Sequence, residues 1–136
     1  MSAVVLAPAV STHSSYLAFD FGTRRIGVAI GNSLTGNGQP LRTIDAGARA
    51  LDVIGKLVAE WQPDALVVGV PRHPDGASHV NTERARRFGR ELHARFGLPV
   101  HEVDERYTTT DAKRAGAADL DAAAAAIILE QHLAGL

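Results

Sequence analysis

Three carboxylates occupy positions where a negative charge needs a chemical reason. Asp20 lies inside the apolar run Tyr16–Phe21 and shares a strand face with Tyr16 and Ala18. An ionised group in a sheet interior is costly unless it is paired or holds a cation. Asp104-Glu105-Arg106 follows directly on the apolar run Pro99–Val103, at the carboxyl edge where open α/β sheets place their ligands. Asp121 falls in the first turn of an Ala-rich final helix, a position the helix dipole favours in any case. Taken singly, each has an ordinary structural explanation: a strand-end turn, a local Glu–Arg pair, a helix start. Taken together, acids from the first strand, the last strand and the final helix can converge at one end of a small sheet. Hard divalent cations such as Mg²⁺ or Mn²⁺ take oxygen ligands of this kind. Two such ions roughly 4 Å apart would activate a water and stabilise the leaving oxygen in phosphodiester hydrolysis.

A phosphodiester substrate also needs cations on the protein. Arg24 and Arg25 stand next to Asp20 in sequence and are placed to meet a scissile phosphate. Arg106 can do the same or orient Glu105, and the hydroxyls of Thr108 and Thr109 can contact phosphate or cap the next helix. Arg84, Arg86, Arg87, Arg90 and Arg95 fall in one helical stretch against Glu83 and Glu91, with Arg86 and Arg90 on a shared flank. Such a flank gives sequence-independent, salt-sensitive binding to a nucleic-acid backbone, or else is a solvated face of Glu–Arg pairs. His73 and Asn81 lie in or near the Pro-containing loop before that helix, where His73 is a candidate for proton transfer or metal binding.

The elements that must position these residues follow from patterning. Tyr16–Phe21 and Arg25–Ile30 read as a hairpin around Gly22, and Leu41–Ile44 as a third, weaker strand. Asp45 is a candidate cap for a helix in which Leu51, Ile54, Val58 and Trp61 recur at helical spacing, ended by Gln62-Pro63-Asp64. The uninterrupted run Ala65–Val70 predicts a central strand covered on both faces. A second helix carries Ala85, Phe88, Leu92 and Phe96 on one stripe, so Trp61 and Phe88 are expected in the core. Pro99–Val103 forms the last strand. Thr109 or Thr110 can cap a short helix through Arg114, and Asp119 or Leu120 opens the final helix. A meander followed by alternating strands and helices predicts an α/β fold of ribonuclease H type. Its mixed five-stranded sheet would be antiparallel first and parallel after, with helices on both faces.

Composition sets the bounds. The 136 residues suit one domain, with residues 1–15 as a disordered or weakly docked tail and 16–136 as the nuclease-like domain. Fourteen Lys and Arg against fifteen Asp and Glu give a net charge of −1, so a polyanion must be met by a local patch. Without cysteine there is no disulfide, thiolate zinc site or Cys nucleophile. The apolar start Met1–Val10 lacks a basic flank and contains Pro8, unlike a secretory signal, and no run reaches the roughly 20 residues of a membrane span. The expectation is a cytoplasmic protein, monomer or homodimer, away from membranes.

Four blocks in order carry a resemblance: Asp20-Phe-Gly-Thr-Arg-Arg-Ile-Gly-Val-Ala29, Val68-Gly-Val-Pro71 with Asp75-Gly76, Asp104-Glu-Arg-Tyr-Thr-Thr109, and Asp121 leading into Ala-Ile-Ile-Leu-Glu130. Over about Tyr16 to Leu133 the chain resembles the YqgF/RuvX family, Holliday-junction-resolvase-like nucleases of bacteria. The resemblance implies a ribonuclease H-like fold and a metal-dependent nuclease that acts in maturing the 5′ end of the small-subunit ribosomal RNA precursor. It implies Asp20, Glu105 and Asp121 as the acidic triad and RNA in preference to DNA, with branched DNA as another substrate. Related junction resolvases of the RuvC type carry a Glu at the end of the fourth strand. Here that strand ends Val67-Val68-Gly69-Val70, so Glu105 must substitute from the next strand. The stretch Lys113–Leu120 before Asp121 is also shorter than is usual in the family.

Two rival functions share features with this reading. Asp20-Phe21-Gly22-Thr23 matches the first phosphate loop of actin-like ATP-binding proteins, but those need two such domains around a cleft. A non-catalytic RNA-binding factor in ribosome biogenesis would fit the arginines. It would gain nothing from acids clustered near phosphate.

Overall fold

The computed structural model describes residues 14–71, 80–104 and 119–136. The apolar residues Tyr16–Phe19 are buried at the heart of β1, Ser15–Phe21, which turns at Gly22 into β2, Arg25–Asn32. A tight turn closed by Asn32, whose Oδ1 accepts from the Thr35 N–H at 3.0 Å, leads to β3, Gly38–Asp45. Helix α1 spans Ala50–Trp61, β4 Ala65–Val70, α2 Val80–Phe96, β5 Val100–Asp104 and α3 Leu120–Ala134. The sheet runs β3-β2-β1-β4-β5, antiparallel through β1–β3 and parallel from β1 to β4 to β5. This is the predicted mixed five-stranded sheet, and its order puts β1 at the centre.

Alternation along the strands divides the core into two faces. Leu17, Phe19, Ile26, Val28, Leu66 and Val68 point one way and are covered by Ile54 and Leu57 of α1 and by Ala85, Phe88 and Leu92 of α2. Tyr16, Ala18, Ala65 and Val67 point the other way, under Ile128, Leu129 and Leu133 of α3. Asp20, two residues beyond Ala18, therefore faces α3. The many alanines of α3 have a packing reason. Ala125 and Ala126 sit on Ala29, and a Cβ built on Gly38 would lie 2.5 Å from the Ala126 carbonyl oxygen. Small residues on both sides let the helix backbone lie almost on the sheet.

Several expectations need correction. Trp61 is 40% exposed, not core: it shares the helical face of the buried Ala50, Ile54 and Leu57 but is the last residue of α1, where the chain leaves the helix at Gln62. Phe88 is buried as expected. Asp45 ends β3 and does not cap α1, whose N-cap is Arg49 without a side-chain hydrogen bond. The third strand is longer than Leu41–Ile44. Gln39 and Pro40 pair with Ile30 and Ala29 across an irregularity at Val28/Ala29, a place where an edge strand tolerates proline. The first strand begins at Ser15, whose N–H donates to Asp64 Oδ2 at 2.8 Å, so Ser15 belongs to the sheet and not to a tail. The expected short helix from Thr109 or Thr110 to Arg114, the loop with His73 and residues 1–13 lie outside the described residues. Among the described residues no helix is long and apolar enough to cross a membrane.

Candidate active site

The carboxyl ends of the parallel strands β1, β4 and β5 share one edge of the sheet, and α3 begins there. Asp20, half-buried on central β1, is in register with Gly27 of β2 on one side and Gly69 of β4 on the other. Neither neighbour has a side chain. The start of α3 packs against the β2 side. A Cβ on Gly27 would lie 1.8 Å from the carbonyl oxygen of Asp121 and 2.8 Å from the Ala122 nitrogen. The helix backbone at Asp121 thus rests on the residue directly opposite Asp20, and the two acids occupy one corner of the molecule.

The helix start is held by a residue that does not take part in that pair. Asp119 is the N-cap of α3, accepting from the Ala122 N–H at 3.1 Å. It is also tied to the sheet, because the Thr43 hydroxyl of β3 donates to Asp119 Oδ1 at 2.6 Å. The Thr43 hydrogen bond, the Ala122 and Asp121 N–H groups and the nearby Arg25 charge hold the Asp119 carboxyl below the usual range, against a smaller opposing effect of burial. The cap was legible in the sequence as an Asp before an apolar run. The Thr43 anchor was not, since it joins residues 76 positions apart.

Of the candidate cations, Arg25 is at the site. Its Nε lies 3.0 Å from Asp121 Oδ2, with Arg25 68% and Asp121 33% exposed. Arg24 is exposed in the β1–β2 turn, and its carbonyl accepts from the Ala46 N–H at 2.9 Å. Arg86 and Arg90 are not brought to this corner. They belong to α2 on the opposite face of the sheet, where Arg86 pairs with Glu102 at 3.4 Å and Arg90 with Glu83 at 2.8 Å. Glu105, Arg106, Thr108 and Thr109 lie outside the described residues. The described chain reaches Asp104, which is in register with Val70, one residue beyond the Gly69 level of Asp20.

Among the described residues the donors at this corner are carboxylate oxygens, which suit a hard divalent cation. Among the described residues no group of three His, Cys, Asp or Glu stands ready to hold a metal ion, so a complete site needs a further donor beyond Asp20 and Asp121.

Comparison with known proteins shows the family. A family model described as RuvX, Holliday junction resolvase, matches residues 14–135. A protein of Polaromonas sp. named "Putative pre-16S rRNA nuclease" is 62% identical over 123 residues, covering 90% of this chain and 89% of its own. One of the same name from Paraburkholderia phytofirmans is 55% identical over 131 residues, covering 90% of each. Among solved structures, T. thermophilus RuvC in complex with a Holliday junction substrate superposes with a TM-score of 0.56 at 12% identity, over 89% of this chain and 94% of that one. That likeness shows a shared fold. With a matched family model over nearly its whole length, an acidic corner at the sheet edge and close relatives of the same kind, the chain belongs to the RuvX family of resolvase-like nucleases.

Proposed function

We propose that this chain is a divalent-metal-dependent nuclease of the cytoplasm that hydrolyses phosphodiester bonds in RNA, trimming the 5′ end of the small-subunit ribosomal RNA precursor. The observation that supports the reading is that Asp20 pairs with Gly27, on which the backbone of Asp121 rests, at the carboxyl edge of the sheet. The names of the close relatives favour ribosomal RNA as the substrate. Asp20 and Asp121 would hold the cation, Mg²⁺ or Mn²⁺, and Glu105, one residue beyond the end of β5, is assigned as the third acid by chain order. When bound, such ions supply an activated water and neutralise charge on the leaving oxygen. The protein's own part is to hold its carboxylates on rigid elements. Asp20 is set by pairing on both sides of β1, and Asp121 by the Asp119 cap and its Thr43 anchor. Arg24 and Arg25 at the hairpin are assigned to the scissile phosphate, with Arg106, Thr108 and Thr109 as further phosphate contacts. Arg86 and Arg90, on the far face, would hold only a longer stretch of substrate that reaches from one face of the sheet to the other.

The family description favours a second reading in which four-way DNA junctions are cut. A cleavage assay separates the possibilities. Labelled 5′-extended precursor RNA, single-stranded DNA and a four-way junction are incubated with Mg²⁺, Mn²⁺ or chelator. The proposal expects metal-dependent cutting of the RNA, abolished by chelator. Junction cutting alone would favour the second reading. RNA binding without any cutting would favour a non-catalytic ribosome biogenesis factor.

A further inference from the structure

Resting on that reading of Asp20 and Asp121 as cation ligands, we propose that Arg25 competes with the cation for Asp121: a resident counter-ion that metal loading releases toward the substrate phosphate. Arg25 opens β2 and lies two residues before Gly27, so both face α3. Its Nε is 3.0 Å from Asp121 Oδ2, an oxygen that a hard cation at this corner would take. A guanidinium and a divalent ion on the same carboxylate repel each other, so each weakens the other's hold. Such coupling is reciprocal.

The geometry also allows the exchange to happen. Arg25 is 68% exposed, its guanidinium sits at the end of a long flexible stem, and an exposed ion pair of this kind is weak. Leaving Asp121 is therefore easy for Arg25. An arginine is well suited to the position it leaves for, because its planar fork matches a phosphate. Metal binding and phosphate binding would then be coupled. The cation takes the carboxylate, and the displaced guanidinium meets the substrate charge at the same corner.

The test uses the full chain and Mn²⁺ alone, with free Mn²⁺ counted by electron paramagnetic resonance in the absence of nucleic acid. Arg25→Gln removes the competitor and should tighten Mn²⁺ binding about two- to fivefold, the range set by a weak exposed pair. Arg25→Lys keeps the charge and should stay near the parent. Arg42→Gln removes an equal charge on the α1 face of β3 and should also stay near the parent, which separates local competition from a change in net charge. A second readout is binding of a short non-cleavable RNA analogue in Ca²⁺, which Arg25→Gln should weaken. Thermal melts confirm that each variant folds. Equal or weaker Mn²⁺ binding by Arg25→Gln, or equal tightening by Arg42→Gln, overturns the competition while leaving the metal site standing. A parent that binds no Mn²⁺ overturns both the competition and the metal role of the acidic corner.

Discussion

Asp121 owes its position to Asp119, two residues earlier, whose carboxylate caps α3 and binds the Thr43 hydroxyl at 2.6 Å. Asp119→Ala should cost about 1 kcal/mol, the usual worth of an N-cap, and chemical denaturation at pH 7 would measure it. The sign of its pH dependence follows from the lowered carboxyl. The Asp119 contribution is fully present above the ordinary Asp value near 3.9 and is lost as pH falls through the lower folded value. The gap between parent and variant should therefore shrink in acid; a gap that holds constant to the acid limit would contradict the assignment. At this scale the sequence was informative where a residue broke a local pattern. An acid inside an apolar strand marked Asp20, and an Asp before an alanine run marked the start of α3. It was uninformative for Trp61, because periodicity gives a stripe but not how far along the helix the core covers it, and Trp61 stands at the last residue of α1.

The pairing of α3 with β2 and β3 is what makes two distant acids neighbours, and glycine is its condition. Gly27→Ala would place a methyl 1.8 Å from the Asp121 carbonyl, against backbone that cannot rotate away. It should destabilise the protein by about 3 kcal/mol, the upper part of the range for overpacking, and abolish cleavage by pushing α3 off the site. Denaturant midpoints and turnover together would check this, and a wild-type midpoint would contradict the close approach. At its other end α3 is held by aromatic contacts. His132 stacks on His101 with ring centroids 4.7 Å apart and meets the edge of Tyr16 at 5.2 Å, with its Nε2 buried and unpartnered among the described residues. Burial, then the neighbouring His101, lowers the tendency of His132 to take a proton. Unfolded His132 would protonate near pH 6.5 and the folded form only at lower pH, so stability should fall as pH drops below about 6.5. His132→Phe should flatten that part of the stability–pH curve, and an unchanged slope would contradict it. The strands and helices themselves were legible from alternation and periodicity. The glycine contacts were not, because they depend on which way α3 crosses the sheet, a relation between residues at opposite ends of the chain.

At the scale of the described molecule, the acidic corner and the arginine-rich helix stand on opposite faces of the sheet. The acidic corner lies on the α3 face, and α2 presents five arginines against two glutamates on the other, within a chain whose net charge is −1. A nucleic acid that touches both must reach from one face of the sheet to the other; on the second face Arg86 lies beside Glu102 of β5. Arg86→Ala with Arg90→Ala should weaken binding of long RNA and reduce the magnitude of its log–log salt slope by about 0.7 for each phosphate left unneutralised, with short RNA unaffected. Identical slopes would show that the Glu83 and Glu102 pairs are all these arginines do. Whether Asp20 is a cation ligand in a phosphodiester-cutting centre is read from one comparison: Mg²⁺-dependent cleavage of labelled precursor RNA by the parent and by Asp20→Asn. The substitution keeps size and removes the charge the cation needs. Asp20→Asn should fold, bind the RNA with parent-like affinity and cut none of it; cleavage at the parent rate would rule Asp20 out as a cation ligand.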